Sequence, residues 1–190
     1  MLKAASLNYI TRFSKEKLPY FDKNLIVSLA KYRTHKLTSL MKIMTHVGDG
    51  YVWGILCMIL LFVNFYIGLA ISLASLIQII LQQIVKHVFC RERPFISYDD
   101  IFYIIPPPDK FSFPSGHTAG AFVVVFICFH FFPLFLGLAC IVACLIAISR
   151  VYLGLHYPSD LLGGVLLGFI SYKLGLLFTE SIFKYFSLTI

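Results

Sequence analysis

Two uncharged, strongly apolar stretches dominate the chain, Tyr51–Val85 and Thr118–Ser149. A single helix over the first would be roughly 50 Å long, well beyond a bilayer core of about 30 Å. The stretch must fold back, and Asn64–Gly68 supplies the turn, predicting helices over 51–66 and 68–88. The second stretch is also too long for one crossing, and Pro133 splits it into two helices. A last helix is predicted from Pro158 to about Phe178. The apolar runs are continuous rather than alternating, which favours helices over a β-barrel. The expected fold is all-α, a polytopic membrane helix bundle of about five transmembrane helices.

Ahead of these runs the pattern changes. Leu37, Leu40, Met41, Met44 and Val47 recur at helical spacing among Lys31, Arg33, Lys36 and Lys42. This predicts an N-terminal amphipathic helix lying on the bilayer surface, the alternative being a helix packed on the end of the bundle. Met1–Asp22 holds Lys3, Arg12, Lys15, Glu16 and Lys17 with no apolar core between them, so no secretory signal peptide is expected. The chain therefore divides into a basic amphipathic segment, residues 1–50, and a transmembrane domain, residues 51–190.

Composition agrees with a membrane setting. Hydrophobic residues make up 59% of the chain and charged residues 13%, against about 25% charged in soluble domains. The expected partners are the bilayer and a membrane substrate rather than nucleic acid, and the oligomeric state is left open. Of the five cysteines, Cys57, Cys128, Cys140 and Cys144 lie in apolar runs and Cys90 in a polar loop, with no CxxC pair. They read as small apolar residues rather than a disulfide framework or a metal site, and no metal or cofactor is expected.

The polar residues between the helices fall in three pieces. The first is KHVFCRERP, Lys86–Pro94, in which Gln78, Gln82 and Lys86 continue a stripe on one helix face. The second is PSGH, Pro114–His117, and the third runs from Ser149 to Asp160 with Arg150 and His156. With five crossings both connecting loops lie on one side of the membrane, so the pieces can form one cluster. Three cations, Lys86, Arg93 and Arg150, would repel one another unless an anion completes the group. Guanidinium forks suit phosphate oxygens, and lysine adds a point charge. Ser115 and Gly116 open a helix whose N-terminal N–H groups form an anion cradle. His117 beside it is placed to hand a proton to a leaving oxygen. Asp160, four residues after His156, can hold one ring nitrogen as N–H and leave a lone pair on the other for attack. Gly164 and Gly168 extend the Asp160 face for close packing. Taken alone, Lys86 also reads as a snorkelling boundary residue. His35, His46, His87 and His130 carry no such context, and Lys173 has no assigned role.

Together the pieces resemble the type 2 phosphatidic acid phosphatase superfamily, whose pattern is K-x6-RP, PSGH and SR-x5-H-x3-D. Every position is present, as Lys86, Arg93 and Pro94, then Pro114 to His117, then Ser149, Arg150, His156 and Asp160. The resemblance implies a metal-independent hydrolase of lipid phosphates or diphosphates. Lys86, Arg93, Ser115, Gly116 and Arg150 would bind phosphate, and His156 would form a phosphohistidine with Asp160 orienting it. His117 would protonate the leaving group. Undecaprenyl diphosphate and phosphatidylglycerophosphate lead the substrates, with phosphatidate and a lipid A phosphate also open. A phosphotransferase using the same phosphohistidine and a non-enzymatic lipid-phosphate binder are the alternatives.

The expected location is the inner membrane of a bacterium. The basic residues of 1–50 point to a cytoplasmic active-site face by the positive-inside rule. Many bacterial members of the resembled family work on the periplasmic face, which the resemblance favours.

Overall fold

The computed structural model describes residues 20–188, and all the regular elements among them are helices. Its α-helices are α1 (Tyr20–Ala30), α2 (His35–Val47), α3 (Gly50–Val63), α4 (Phe65–Phe89), α5 (Pro94–Ser97), α6 (Gly116–Phe131), α7 (Leu136–Tyr152) and α8 (Pro158–Leu188), with a 3-10 turn at Pro133–Phe135. The basic cluster before Tyr20 lies outside the described residues.

The two long apolar stretches break where expected, for local reasons. Asn64 ends α3 in extended backbone, and its side chain caps α4 by accepting from Ile67 N at 3.1 Å. Phe132 and Pro133 separate α6 from α7. Ser115 caps α6, and Pro158 opens α8, where a missing N–H costs nothing. The last helix runs ten residues past the expected end at Phe178, because Glu180 and Lys184 sit on an exposed terminal stretch that remains helical.

Five apolar helices are thus present, but they are unequal as membrane spans. Phe65–Ser97, Pro133–Tyr152 and Pro158–Ser187 are long and apolar enough to cross, and the pair α2 and α3, bent by 47°, is a fourth if it is one broken span. Helix α6, with 16 residues, is shorter; it would reach only about 24 Å. The expectation of five spans plus a separate surface helix is therefore resolved more coarsely, as a polytopic bundle with three to four spans by length and composition.

Helix α6 lies among α4, α7 and α8 and carries the core on its sides. Ala70, Ile71 and Ala74 of α4 meet Val123 and Ile127 of α6 and Tyr172 and Leu176 of α8. Ala121 and Val125 meet Ala143 and Ile146 of α7. Lipid is as apolar as these side chains, so close packing rather than water exclusion holds the helices together. Gly164 and Gly168 serve that end. A Cβ on Gly164 would stand 2.8 Å from Ser115 O, and one on Gly168 2.7 Å from Ala119 O. The α6–α8 approach thus depends on both. Outer faces carry exposed Ile55, Phe62, Ile80, Ile141 and Leu166, as lipid contact requires.

The N-terminal helices dock on one end of this bundle. Met41 of α2 packs with Tyr152, Leu153 and Leu155, and Ile26 of α1 with Ile101, Val151 and Tyr157. Arg33 donates to Tyr152 O at 2.9 Å, tying the α1–α2 link to the end of α7. The amphipathic pattern of residues 37–47 therefore faces the protein through Met41 and Thr45, the bundle-end alternative of the two sequence readings.

Candidate active site

All three polar pieces meet at the end of the bundle that α1 and α2 cover. Lys86, Arg93, Gly116, His117, Arg150 and His156 line one cavity of about 410 Å³. The predicted stripe on α4 leads into it: Gln78 donates to Gln82 at 2.7 Å, and both face the same cavity as Lys86.

His156 stands on the short link between α7 and α8. Gly154, with φ of 78°, turns the chain there, and the imidazole ends 2% exposed. Its Nδ1 lies 3.3 Å from Asp160 Oδ2, and its Nε2 lies 3.4 Å from Arg93 Nη1. A carboxylate accepts from Nδ1–H, which leaves the Nε2 lone pair on the cavity side. Burial first, and then the charges of Arg150, Arg93 and Lys86, hold the imidazole well below its ordinary pKa. It is neutral at neutral pH, as a nucleophile must be.

Asp160 is itself held firmly. It accepts from Tyr157 N at 2.8 Å and from Arg91 Nη1 at 2.5 Å. Arg91 also donates to Ser159 Oγ at 2.7 Å and to buried Asp22 of α1 at 2.8 Å. Arg91, inside the first motif, and Asp22 had no signal beyond charge in the sequence.

The three predicted cations converge but are differently partnered. Lys86 Nζ lies 2.6 Å from Asp109 Oδ2, and Arg93 Nη2 lies 2.8 Å from Asp109 Oδ1. Burial alone would raise the Asp109 carboxyl, but the hydrogen bonds and charges of Lys86 and Arg93 outweigh it and hold the group below its ordinary range. Arg150 is 2% exposed; Nη1 donates to Thr45 Oγ1, while Nε and Nη2 find no acceptor among the described residues. An anion in the cavity would meet these two donors.

Gly116 begins α6, with Gln82 so close that a Cβ would overlap its amide. Backbone N–H groups in this first turn have no helical acceptor. Ser115 is buried and does not line the cavity; its Oγ accepts from Thr118 Oγ1 at 3.0 Å, which leaves its own O–H to donate. His117 lies 2.9 Å from Asp49 Oδ1 through its Nε2.

His130, His87 and Lys173 make ordinary contacts. His130 bonds Tyr172 at 3.2 Å, His87 bonds Gln83 O at 2.7 Å, and Lys173 is exposed with its ammonium 5.4 Å from the Tyr172 ring centre. All five cysteines are free. Among the described residues no three His, Cys, Asp or Glu side chains are grouped to hold a metal ion.

A buried cationic pocket flanked by two histidines, on a helical membrane scaffold, defines a phosphate-handling membrane protein. The chain belongs to the PAP2 superfamily, whose profile matches residues 65–183. It is 31% identical over 166 residues to the undecaprenyl-diphosphatase of Sulfolobus acidocaldarius, covering 84% of this chain and 79% of that one. Its fold is similar to Aquifex aeolicus LpxE, with a TM-score of 0.76 and 27% identity over 85% of this chain and 98% of that chain. It is also similar to a transmembrane PAP2-type phosphatidylglycerolphosphate phosphatase from Bacillus subtilis, with a TM-score of 0.69 and 26% identity over 96% of this chain and 98% of that chain.

Proposed function

We propose that the protein is an integral membrane phosphatase of lipid phosphates or diphosphates, working through a phosphohistidine on His156. The observation that carries this reading is the Asp160–His156–Arg93 line, with Arg150 and Lys86 on the same cavity. In the first step the His156 Nε2 lone pair attacks phosphorus. The bond from phosphorus to the lipid oxygen breaks, and His117 gives that oxygen a proton. In the second step water attacks phosphorus, passes a proton to His117, and the N–P bond breaks to release phosphate. Lys86, Arg93, Arg150 and the Gly116 N–H stabilise the oxygens as charge moves onto them, and Ser115 caps the helix that presents that N–H. Fixed cations make a metal ion unnecessary.

Undecaprenyl diphosphate and phosphatidylglycerophosphate are the favoured substrates. The Sulfolobus relative is a diphosphatase of the former, and the Bacillus structure is a phosphatase of the latter. Residues 51–190 form the phosphatase unit in this reading, with helices α1 and α2 of the basic segment 1–50 docked on it. The five apolar helices cross a bacterial inner membrane, and the active site opens on the periplasmic face. Single cysteines at Ser6 and Asp99 test this arrangement in spheroplasts. An impermeant thiol reagent reaches both if the assignment holds; protection of both places catalysis in the cytoplasm, and opposite labelling contradicts the five crossings.

The activity is tested with purified protein in detergent against the two favoured lipids, phosphatidate and a lipid A phosphate. Free phosphate should appear, survive EDTA, and be inhibited by vanadate, which becomes five-coordinate on a histidine nitrogen and mimics the transition state. Transfer of phosphate to an acceptor lipid without release would identify a phosphotransferase. Binding without turnover would identify a lipid-phosphate binder, and activity lost to EDTA and restored by magnesium would point to different chemistry.

A further inference from the structure

The turn between α2 and α3 brings a carboxylate to the second histidine of the site. Asp49 Oδ1 lies 2.9 Å from His117 Nε2, and Oδ2 lies 2.9 Å from Nδ1 of exposed His46. Asp49 occupies the N-cap position of α3, yet its side chain makes no cap hydrogen bond. An aspartate there ordinarily accepts from the first turn of its own helix; this one reaches across to α6 instead. One turn earlier, buried Thr45 accepts from Arg150. The stretch Thr45–Asp49 thus contacts two side chains of the cavity from outside the region matched by the family profile.

The two Asp–His pairs sit in opposite surroundings. Asp160 is neutralised by Arg91, and His156 also faces Arg93, so that pair favours a neutral imidazole. Asp49 has only imidazole partners and is the sole carboxylate within ion-pair distance of His117 among the described residues. The other charged and titratable groups that act on His117 are Arg150 of α7 and Lys86 of α4, with His156 on the same cavity. Burial first, and then the two cations, oppose an imidazolium, and Asp49 is the group that favours one.

We propose that Asp49 is the positioning residue for proton donation, aiming His117 and favouring its protonated form, with His46 fixing the other carboxylate oxygen. This rests on the phosphohistidine reading. As the His156 N–P bond forms and the P–O bond breaks, His117 passes its proton to the departing oxygen. The attacking water returns a proton in the second step, and Asp49 stays ionised throughout.

The test compares two leaving groups. Dodecyl phosphate expels an alkoxide that needs a proton, whereas p-nitrophenyl phosphate expels a phenolate that does not. In a single turnover, which reads the first step alone, Asp49→Asn is expected to slow dodecanol release by on the order of tenfold or more. Its KM on dodecyl phosphate and its single-turnover release of p-nitrophenolate should stay within about threefold of wild type, and the alkaline limb of dodecanol release should move to lower pH. Asp49→Glu should recover part of the lost rate. Equal losses on both substrates, or no loss on either, would overturn the proposal. Should Asp49→Asn fail to fold, His46→Gln carries the same comparison, with a smaller selective loss on dodecyl phosphate expected and no selectivity contradicting it. Wild-type protein that hydrolyses neither substrate would overturn the phosphatase reading itself.

Discussion

Asp109 Oδ2 lies 2.6 Å from Lys86 Nζ, and the same carboxylate reaches Arg93 through its other oxygen at 2.8 Å. The loop before α6 thus supplies an anion to two of the three cations expected to grip phosphate. A bound phosphate must compete with it, and of the three cations Arg150 is the one with nitrogen atoms that have no hydrogen-bond partner among the described residues.

Replacing Asp109 by Asn removes the competing charge. Inorganic phosphate should then inhibit more tightly, by on the order of tenfold, equivalent to about 1.4 kcal/mol. The carboxyl is held below its ordinary range, so the stability it contributes is fully present above about pH 4 and is lost as pH falls through the lowered native value. Asp109 therefore stays ionised from about pH 5 to 8, and the inhibition ratio of variant to wild type should be constant there. Weaker inhibition of the variant would mean that Asp109 builds the phosphate site rather than competing for it.

Arg150→Lys keeps the charge but loses the fork that bonds Thr45 while leaving two donors for the cavity. A fall in kcat/KM of about tenfold or more is expected, or about 1.4 kcal/mol of transition-state binding. Nearly full activity would mean that Arg150 only anchors α7 to α2.

Arg91 joins Asp160 to Asp22 and so couples the nucleophile's partner to α1. Lysine can reach only one of the two carboxylates. Arg91→Lys should lower kcat by about tenfold with little change in KM, because His156 loses orientation and the phosphate ligands do not. Thermal stability should fall as well, since one buried carboxylate loses its cationic partner. Unchanged kcat with lowered stability would restrict Arg91 to holding α1 in place.

Much of this was legible in the sequence, for identifiable reasons. An uncharged stretch too long for one crossing has to turn, and Asn64 and Pro133 mark where it does. Lys86, Arg93, Arg150, His117 and His156 were found because their spacings fit one pattern and fixed helix ends carry them. Asp49, Asp109, Arg91 and Asp22 were not found. None of them recurs at a set spacing, and each has a partner at least 16 residues away, 16 from Asp109 to Arg93, 68 from Asp49 to His117 and 69 from Asp22 to Arg91. No periodicity marks such a contact. Length and composition alone support three to four spans, because hydropathy measures an apolar run, whereas a long span needs unbroken helix, and α3 and α6 have only 14 and 16 residues. The basic N-terminal pattern fitted a lipid surface and a protein surface equally well, and Met41 and Thr45 chose the protein.

The most direct test of the account is to trap the phosphoryl enzyme. Wild-type protein turning over phosphatidylglycerophosphate or undecaprenyl diphosphate is quenched in alkali and its peptides are examined by mass spectrometry. The expected result is one acid-labile phosphoryl group on the peptide carrying His156, absent from well-folded His156→Ala, which should also release no phosphate. Sustained phosphate release by His156→Ala, or a phosphoryl group on any other residue, would contradict the covalent mechanism.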